Sequence, residues 1–287
     1  MAYAGRPMDV AGRITEWGPA LTPAERRVAD VVLQRPQLVA FGTVAELANE
    51  AGSGAATVVR LAGKLGYDGF TALQDAVQAE LAHRLRPAAE RIRHPVAPDV
   101  IGRTMATELD NVQSTLEAVD REAFAQAVGA LSQRGATVLV LSGEASCGIA
   151  RQAVGELALL RDGVELVIGS EVAVVRSIAL LGPGDACLVV DLRRYDRWVL
   201  DAARRAGERG ATLIALTDSA LSPLALLADA SFTVVAGSTG PFDSHVATLA
   251  LLNAMVTAVA DRLRSSATDR LDRIEAAWRE AGALIEP

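Results

Sequence analysis

Apolar residues recur along this chain with two different periods. Between residues 20 and 85 they return every three or four positions in short runs broken by Gly and Pro. Between residues 136 and 236 they gather instead into β-branched stretches separated by helix-length segments. The first texture predicts a small helical domain. The second predicts an α/β domain, because strand and helix patterns that alternate lay helices on both faces of a parallel sheet. Expected strands are 136–141, 164–168, 186–191, 212–216 and 231–235, in a doubly wound five-stranded sheet of flavodoxin-like order. A ligand in such a sheet sits at the carboxyl ends of the strands, where the strand order reverses.

The helical half is punctuated by start and stop signals. Thr22-Pro23-Ala24-Glu25 is a capping box with Pro at the first helical position, and Arg35-Pro36 ends that helix. A second box, Thr43-Val44-Ala45-Glu46, opens a short helix with Leu47, Ala48 and Ala51 on one face; Gly52 follows as a left-handed cap. Ser53 is then expected to cap a third helix, 54–65, which buries Val58, Leu61, Ala62 and Leu65 and stops at Gly66. Ala55, Ala56, Thr57, Arg60 and Lys64 stay outside or at the boundary. Two short helices joined by a Gly-Ser turn, with small residues and cations outward, match an all-α helix-turn-helix domain. Small residues let the backbone approach a groove, and Arg60 and Lys64 reach a base edge or a phosphate. Ser53, Ala55, Ala56, Thr57, Arg60 and Lys64 are therefore the candidate contacts to double-stranded DNA. The same period also fits a plain three-helix bundle with solvated cations.

Length and charge adjust this picture. The 287 residues carry a formal charge of −7, enough chain for two domains and too hydrophobic a composition, at 51%, for disorder. Residues 1–80 hold seven basic and nine acidic side chains, a net of −2 that works against phosphate-driven affinity. Arg84, Arg86, Arg91 and Arg93, against Glu90, are either a basic reinforcement or a solvated linker. Cys147 and Cys187 form no C-x-x-C pair and read as reduced thiols. With no basic-then-apolar leader in residues 1–10 and no run of about 18 apolar residues, a cytoplasmic protein without membrane attachment is expected. The expected organisation is a DNA-binding domain over 1–85, a helical linker over 86–119, the sheet domain over 120–265, and a C-terminal helix over 266–287. That last helix carries Leu271, Ile274 and Trp278 as a stripe to be buried, plausibly on a partner subunit.

Candidate chemistry in the second half lies after the strands. Ser142-Gly143-Glu144-Ala145-Ser146 joins the first strand to a helix, an arrangement that turns backbone N–H groups and a helix N-terminus toward an anion. Asp191-Leu192-Arg193-Arg194-Tyr195-Asp196-Arg197 follows the third strand. Its guanidiniums either grip phosphate or carboxylate, or pair with Asp191, Asp196 or Asp201. Ser244 and His245 open the last long helix; Ser244 is a ligand contact or an N-cap, and His245 has no metal-binding neighbours in sequence. Asp218 is a ligand contact or a turn cap. Tyr195, Trp198 and Trp278 form either an aromatic ligand box or, the commoner fate, core or interface packing. No catalytic residue, cofactor or metal is assigned.

Several of these segments carry a family likeness. Leu21-Thr22-Pro23-Ala24-Glu25-Arg26, Thr57-Val58-Val59-Arg60-Leu61 and Lys64-Leu65-Gly66-Tyr67-Asp68-Gly69-Phe70 resemble the N-terminal domain of RpiR-type transcriptional regulators. Pro183-Gly184-Asp185, the run from Ala211 through Asp218, Ser222-Pro223-Leu224 and Ala228-Asp229 resemble the sugar isomerase (SIS) domain those regulators carry. The resemblance implies a homodimer or homotetramer that binds operator DNA, often as a repressor, and a small-molecule effector in the SIS domain. In many members that effector is a phosphosugar held by Ser/Thr-rich loops. Here those loops depart from the pattern: Ser142 and Glu144 stand at glycine positions of G-x-G-x-S, and Asp191-Leu192-Arg193-Arg194-Tyr195-Asp196 replaces S-x-S-G-x-T. Expected effector contacts are Ser142, Glu144, Ser146, Asp191, Arg193, Arg194, Tyr195 and Ser244, and the expected effector is a small anionic metabolite, a phosphosugar or a carboxylated or amino compound. The competing readings are an aldose–ketose isomerase of the SIS type and a SIS interaction module that binds no ligand.

Overall fold

The computed structural model describes residues 10–85, 88–93, 98–220 and 222–285, without the side chains of 34, 37 and 80–85. Arg86 and the Arg84 side chain, part of the basic stretch noted above, lie outside the described residues. The chain divides into two compact units, residues 1–90 with 219–226 and residues 91–218 with 227–287.

The first unit is helical: α1 (Val10–Trp17), α2 (Pro23–Gln34), α3 (Pro36–Phe41), α4 (Val44–Glu50), α5 (Ala55–Lys64) and α6 (Gly69–Leu85). Both capping boxes form, Thr22 with Glu25 and Thr43 with Glu46, so each start is fixed by reciprocal side-chain and backbone bonds. Val28, Val32, Leu47, Val58, Leu61 and Leu73 close the core with no exposed surface. Two details differ from the sequence-based expectation. A separate helix, α3, follows Pro36 at once, since Pro suits a first helical position as well as it ends the helix before it. The N-cap of α5 is Gly54, with no side-chain cap, rather than Ser53. The reason is that Ser53 belongs to the closure of α4: Gly52 turns left-handed at φ +52°, its N–H bonds Asn49 O at 3.1 Å, and Ser53 N–H bonds Ala48 O at 2.8 Å.

The short α7 (Ala88–Arg91) leads to the second unit, which holds α8 (Val100–Glu117), α9 (Arg121–Leu131), β1 (Val138–Ser142), α10 (Cys147–Leu160), β2 (Val164–Leu166), α11 (Glu171–Ala179), β3 (Ala186–Val190), α12 (Arg197–Glu208), β4 (Thr212–Thr217), β5 (Ala230–Thr233), α13 (Val246–Arg262) and α14 (Arg264–Glu280). The five strands are all parallel in the order β2-β1-β3-β4-β5, the order expected. Strands β1 and β3 are buried at every position, as near-continuous apolar runs in a covered parallel sheet must be. Phe124 of α9 meets Phe232 of β5 edge-on at 6.4 Å.

At the amino end of the sheet two carboxylates stitch strands together. Asp185 accepts from Thr137 N at 2.7 Å and Gly182 N at 2.8 Å, and Asp229 accepts from Leu213 N at 2.8 Å. Arg161 donates there to Leu131 O at 2.7 Å and to Ala136 O. The segment expected as a linker contains α8, which packs along α13 and turns Asn111 and Thr115 inward. Thr115 Oγ1 accepts from Val235 N at 2.9 Å, just past β5. Helix α14 packs on α10, with Leu271, Ile274 and Trp278 half-buried. Among the described residues no single helix is long and apolar enough to cross a membrane.

Candidate functional sites

In the first unit, α4, the Gly52 turn and α5 form the helix-turn-helix. Leu65 caps the end of α5, and Gly66, at φ +83°, bonds Gly63 O while Tyr67 N–H bonds Ala62 O at 2.9 Å. The helix is thus closed by a left-handed glycine at its own end and preceded by another. Ala55, Ala56, Val59 and Arg60 are exposed along one face. Thr57 is buried, and its hydroxyl accepts from Arg60 Nη2 at 3.0 Å, which leans the guanidinium back along the helix. Ser53 is half-buried with its hydroxyl unpartnered.

The cations of this unit are used unevenly. Lys64 pairs with Glu25 Oε2 at 2.7 Å and also donates to Ala20 O at 3.3 Å, tying the end of α5 to the start of α2. Lys64 and the capping bonds from Thr22 hold the Glu25 carboxyl down at about 2. Arg13 donates to Leu65 O at 2.7 Å and lies over the Tyr67 ring; Arg27 donates to Ala51 O and Gly52 O at 3.3 Å; Arg35 pairs with Glu50 at 2.6 Å. Several basic residues therefore serve helix ends rather than standing free on the surface.

In the second unit, the strand order reverses between β1 and β3, so the loops after these strands converge with the start of α13. Ser142 ends β1 buried; Glu144 to Ser146 form a single tight turn, Glu144 exposed and Ser146 fully buried, before α10 begins. Glu144 N–H donates to Asp196 Oδ2 at 2.9 Å, and Asp196 N–H donates to Asp191 Oδ2 at 2.9 Å. Gly143 is required where Asp191 approaches: a Cβ there would stand 2.2 Å from Asp191 Oδ1. Burial, together with the nearby charges of Asp196 and Asp218, raises the Asp191 carboxyl to about 7.

The loop after β3 is strained. Arg193 and Arg194 stand consecutively in the left-handed region, at φ +42° and +46°, which costs on the order of 1 to 3 kcal/mol for each. Carboxylates hold that conformation in place. Asp218 Oδ1 accepts from Arg193 N at 3.2 Å and from Tyr195 OH at 2.7 Å, while Asp243 Oδ1 receives Arg193 Nη1 at 2.9 Å and Arg91 Nη1 at 2.7 Å. Arg193 thus pairs with Asp218 and Asp243, neither of which was among the acids named for it. Arg194 and Arg197 are exposed.

At the start of α13, Ser244 is buried and donates to Glu108 Oε2 at 2.6 Å, while its oxygen accepts from Val246 N at 3.2 Å. The N-cap position itself is His245, one residue later than expected. Burial lowers the His245 pKa, against the opposing pull of Asp243 and the Ala145 main chain. Asn111 bridges Glu108 and Gly237 O. Ser146 Oγ, Thr217 Oγ1, Thr248 Oγ1, His245 Nδ1 and the Nε atoms of Arg91 and Arg193 are buried without a hydrogen-bond partner. Buried polar atoms are ordinarily paired, so such a group marks the place to look for a ligand.

Glu144 and Asp191 are therefore joined through Asp196, and Arg193 and Tyr195 through Asp218. Ser244 belongs to a separate contact with α8. Sequence reasoning missed Asp243, Arg91, Glu108 and Asn111. The last two, three apart on α8, were recoverable only as a polar pair on a helix face. Among the described residues no group of three or more His, Cys, Asp or Glu is placed to hold a metal ion.

Comparison with known proteins agrees with both units. The rpiR-family helix-turn-helix domain matches residues 8–84 and the SIS domain matches residues 131–258. An uncharacterised HTH-type transcriptional regulator of Haemophilus influenzae is 26% identical over 235 residues, 80% of each chain. The sugar isomerase domain of an RpiR transcription factor from Sphaerobacter thermophilus superposes with a TM-score of 0.56 at 28% identity, covering 61% of this chain and 97% of that one. The Vibrio vulnificus NanR protein complexed with ManNAc-6P shares the fold, with a TM-score of 0.56 at 21% identity over 95% and 99% of the two chains.

Proposed function

The chain belongs to the RpiR-type transcriptional regulators, with that family's helix-turn-helix domain followed by a SIS domain, and from this premise we propose how it works. Helix α5 enters the major groove of double-stranded operator DNA, and a small metabolite binds where the loops after β1 and β3 meet α13. The observation that carries the first half is the exposed face of Ala55, Ala56, Val59 and Arg60 on a helix fixed at both ends. The second half is supported by the unpartnered Ser146 Oγ and His245 Nδ1 at the strand-order reversal, a customary place for ligands in such sheets. NanR of Vibrio vulnificus holds ManNAc-6P, and the effector class proposed here is a phosphosugar or a carboxylated or amino metabolite. On this reading the SIS unit senses rather than catalyses, because its acids and guanidiniums brace one another.

The proposed assembly is a homodimer, or a tetramer built from it. Ile101, Met105, Leu109 and Leu116 lie within one narrow stripe of α8 and are exposed, between 41% and 85%. An antiparallel second copy of α8 covers that stripe. Effector binding then shifts the population of subunit arrangements, changing the spacing of two reading heads over two half-sites. Gel shifts on fragments from the protein's own locus test this. Arg60→Ala is expected to weaken retention about tenfold, consistent with one lost base or phosphate contact, with the circular dichroism spectrum and oligomeric state unchanged. Unchanged affinity would remove α5 from the groove.

A further inference from the structure

We propose that, among the effector classes named above, Asp196 excludes the phosphosugar and favours a hydroxyl- or amine-bearing molecule, its own carboxylate filling the place a phosphate would take. The proposal rests on the reading of that crevice as the effector site. Glu144 N–H is the first main-chain donor of the turn that leads into α10, where a helix N-terminus and its loop ordinarily cradle an anion. It is engaged by Asp196 Oδ2 at 2.9 Å. Asp196 N–H is engaged by Asp191 at 2.9 Å, and Arg193 N–H by Asp218 at 3.2 Å. The guanidinium best placed to replace those donors, Arg193, is itself held by Asp243 at 2.9 Å, on the same oxygen that Arg91 reaches. Asp191 lies so close to the β1 loop that a Cβ at 143 would stand 2.2 Å from its Oδ1 and push the carboxylate aside.

Each of these main-chain donors is thus already answered by a carboxylate from within the chain, while the Nε atoms of Arg91 and Arg193 keep no hydrogen-bond partner. An incoming phosphate would have to displace Asp196 and then face Glu144, Asp191 and Asp218. The chemistry that fits without displacement is a hydroxyl- or amine-bearing ligand that donates to these acids, with Ser146 and His245 supplying the remaining polar contacts.

Titration calorimetry of the full chain with inorganic phosphate and with glucose 6-phosphate tests the proposal. Wild type is expected to give no saturable binding below about 1 mM. Asp196→Ser frees Glu144 N–H and leaves a hydroxyl at the residue before α12. It is expected to bind glucose 6-phosphate at least about tenfold more tightly than wild type. Asp196→Asn, which keeps the acceptor but removes the charge, should fall between them. Saturable wild-type binding of either probe below about 1 mM overturns the proposal, as does a folded Asp196→Ser at the wild-type level. Should Asp196→Ser fail to fold, the Asn variant decides by whether it exceeds wild type. Loss of operator retention in the gel shift would defeat the regulator reading and leave this titration result standing.

Discussion

The two ends of the sheet use carboxylates in opposite ways. At the amino end, Asp185 receives the N–H groups of Thr137, just ahead of β1, and of Gly182 in its own loop, and Asp229 receives that of Leu213 on β4, a stitch with no left-handed non-glycine residue beside it. At the carboxyl end, Asp191, Asp196, Asp218 and Asp243 also receive donors, but around two consecutive left-handed arginines, a carboxyl driven up to about 7 and several unpartnered atoms. The same functional group stabilises one edge and is held at a cost on the other. Strain and unpaired groups that persist at only one end of a well-packed sheet are the mark of a surface shaped for something besides stability.

This contrast can be broken by substitution. The largest effect is expected at the stitched end: Asp185→Ala leaves two N–H donors without their acceptor and should cost about 3 kcal/mol in urea denaturation. Next comes Gly143→Ala, whose Cβ displaces Asp191 from the β1 loop. It should lose about 2 kcal/mol and, unlike Asp185→Ala, abolish any effector-induced shift in melting temperature.

The third test has the opposite sign. An acid whose pKa is raised in the fold, here from 3.8 to about 7, destabilises the ionised protein. The penalty is absent below the ordinary carboxyl range, grows as pH rises toward 7 and is complete above it. Asp191→Asn should therefore stabilise by roughly 2 kcal/mol near pH 8 and by nothing near pH 3, read by thermal melts across that range. A stabilisation equal at both pH values would mean that Asp191 is not the strained acid described here. The smallest effect belongs to Arg194→Gly, which relieves a left-handed backbone on an exposed residue and should gain about 1 kcal/mol. The equivalent change at Arg193 should not gain, because the ion pair to Asp243 goes with it.

Much of the fold was legible because local rules and tertiary packing agree. The five strand runs fall within two residues of their observed bounds, and both capping boxes form as their spacing requires. The exception is α8. Expected only as part of a helical linker, it packs on α13 through a side that carries Asn111 and Thr115 while Ile101, Met105 and Leu109 face out, so no apolar period marks the packed side. Ser53 was assigned the wrong partner for a similar reason: its backbone serves the helix before it, not the helix after it.

The candidate effector site was legible by loop position and not by wiring. Which acid faces Glu144 N–H, or which carboxylates hold Arg193, depends on contacts spanning 25 to 52 residues, and no local pattern encodes them. The candidate DNA-reading face is local: Ala55, Ala56 and Arg60 are exposed on α5, while Thr57 is buried. The Lys64 side chain is committed to Glu25.

That commitment has a practical side. Lys64 is the chain's single lysine, so its side-chain amine is a unique chemical address, about one-third open to solvent. An acylating reagent that finds it would erase the charge facing Glu25 and loosen the seam between two helices, while the arginine side chains stay unmodified. A mass shift at one position would then count, molecule by molecule, how often the reading head comes undone.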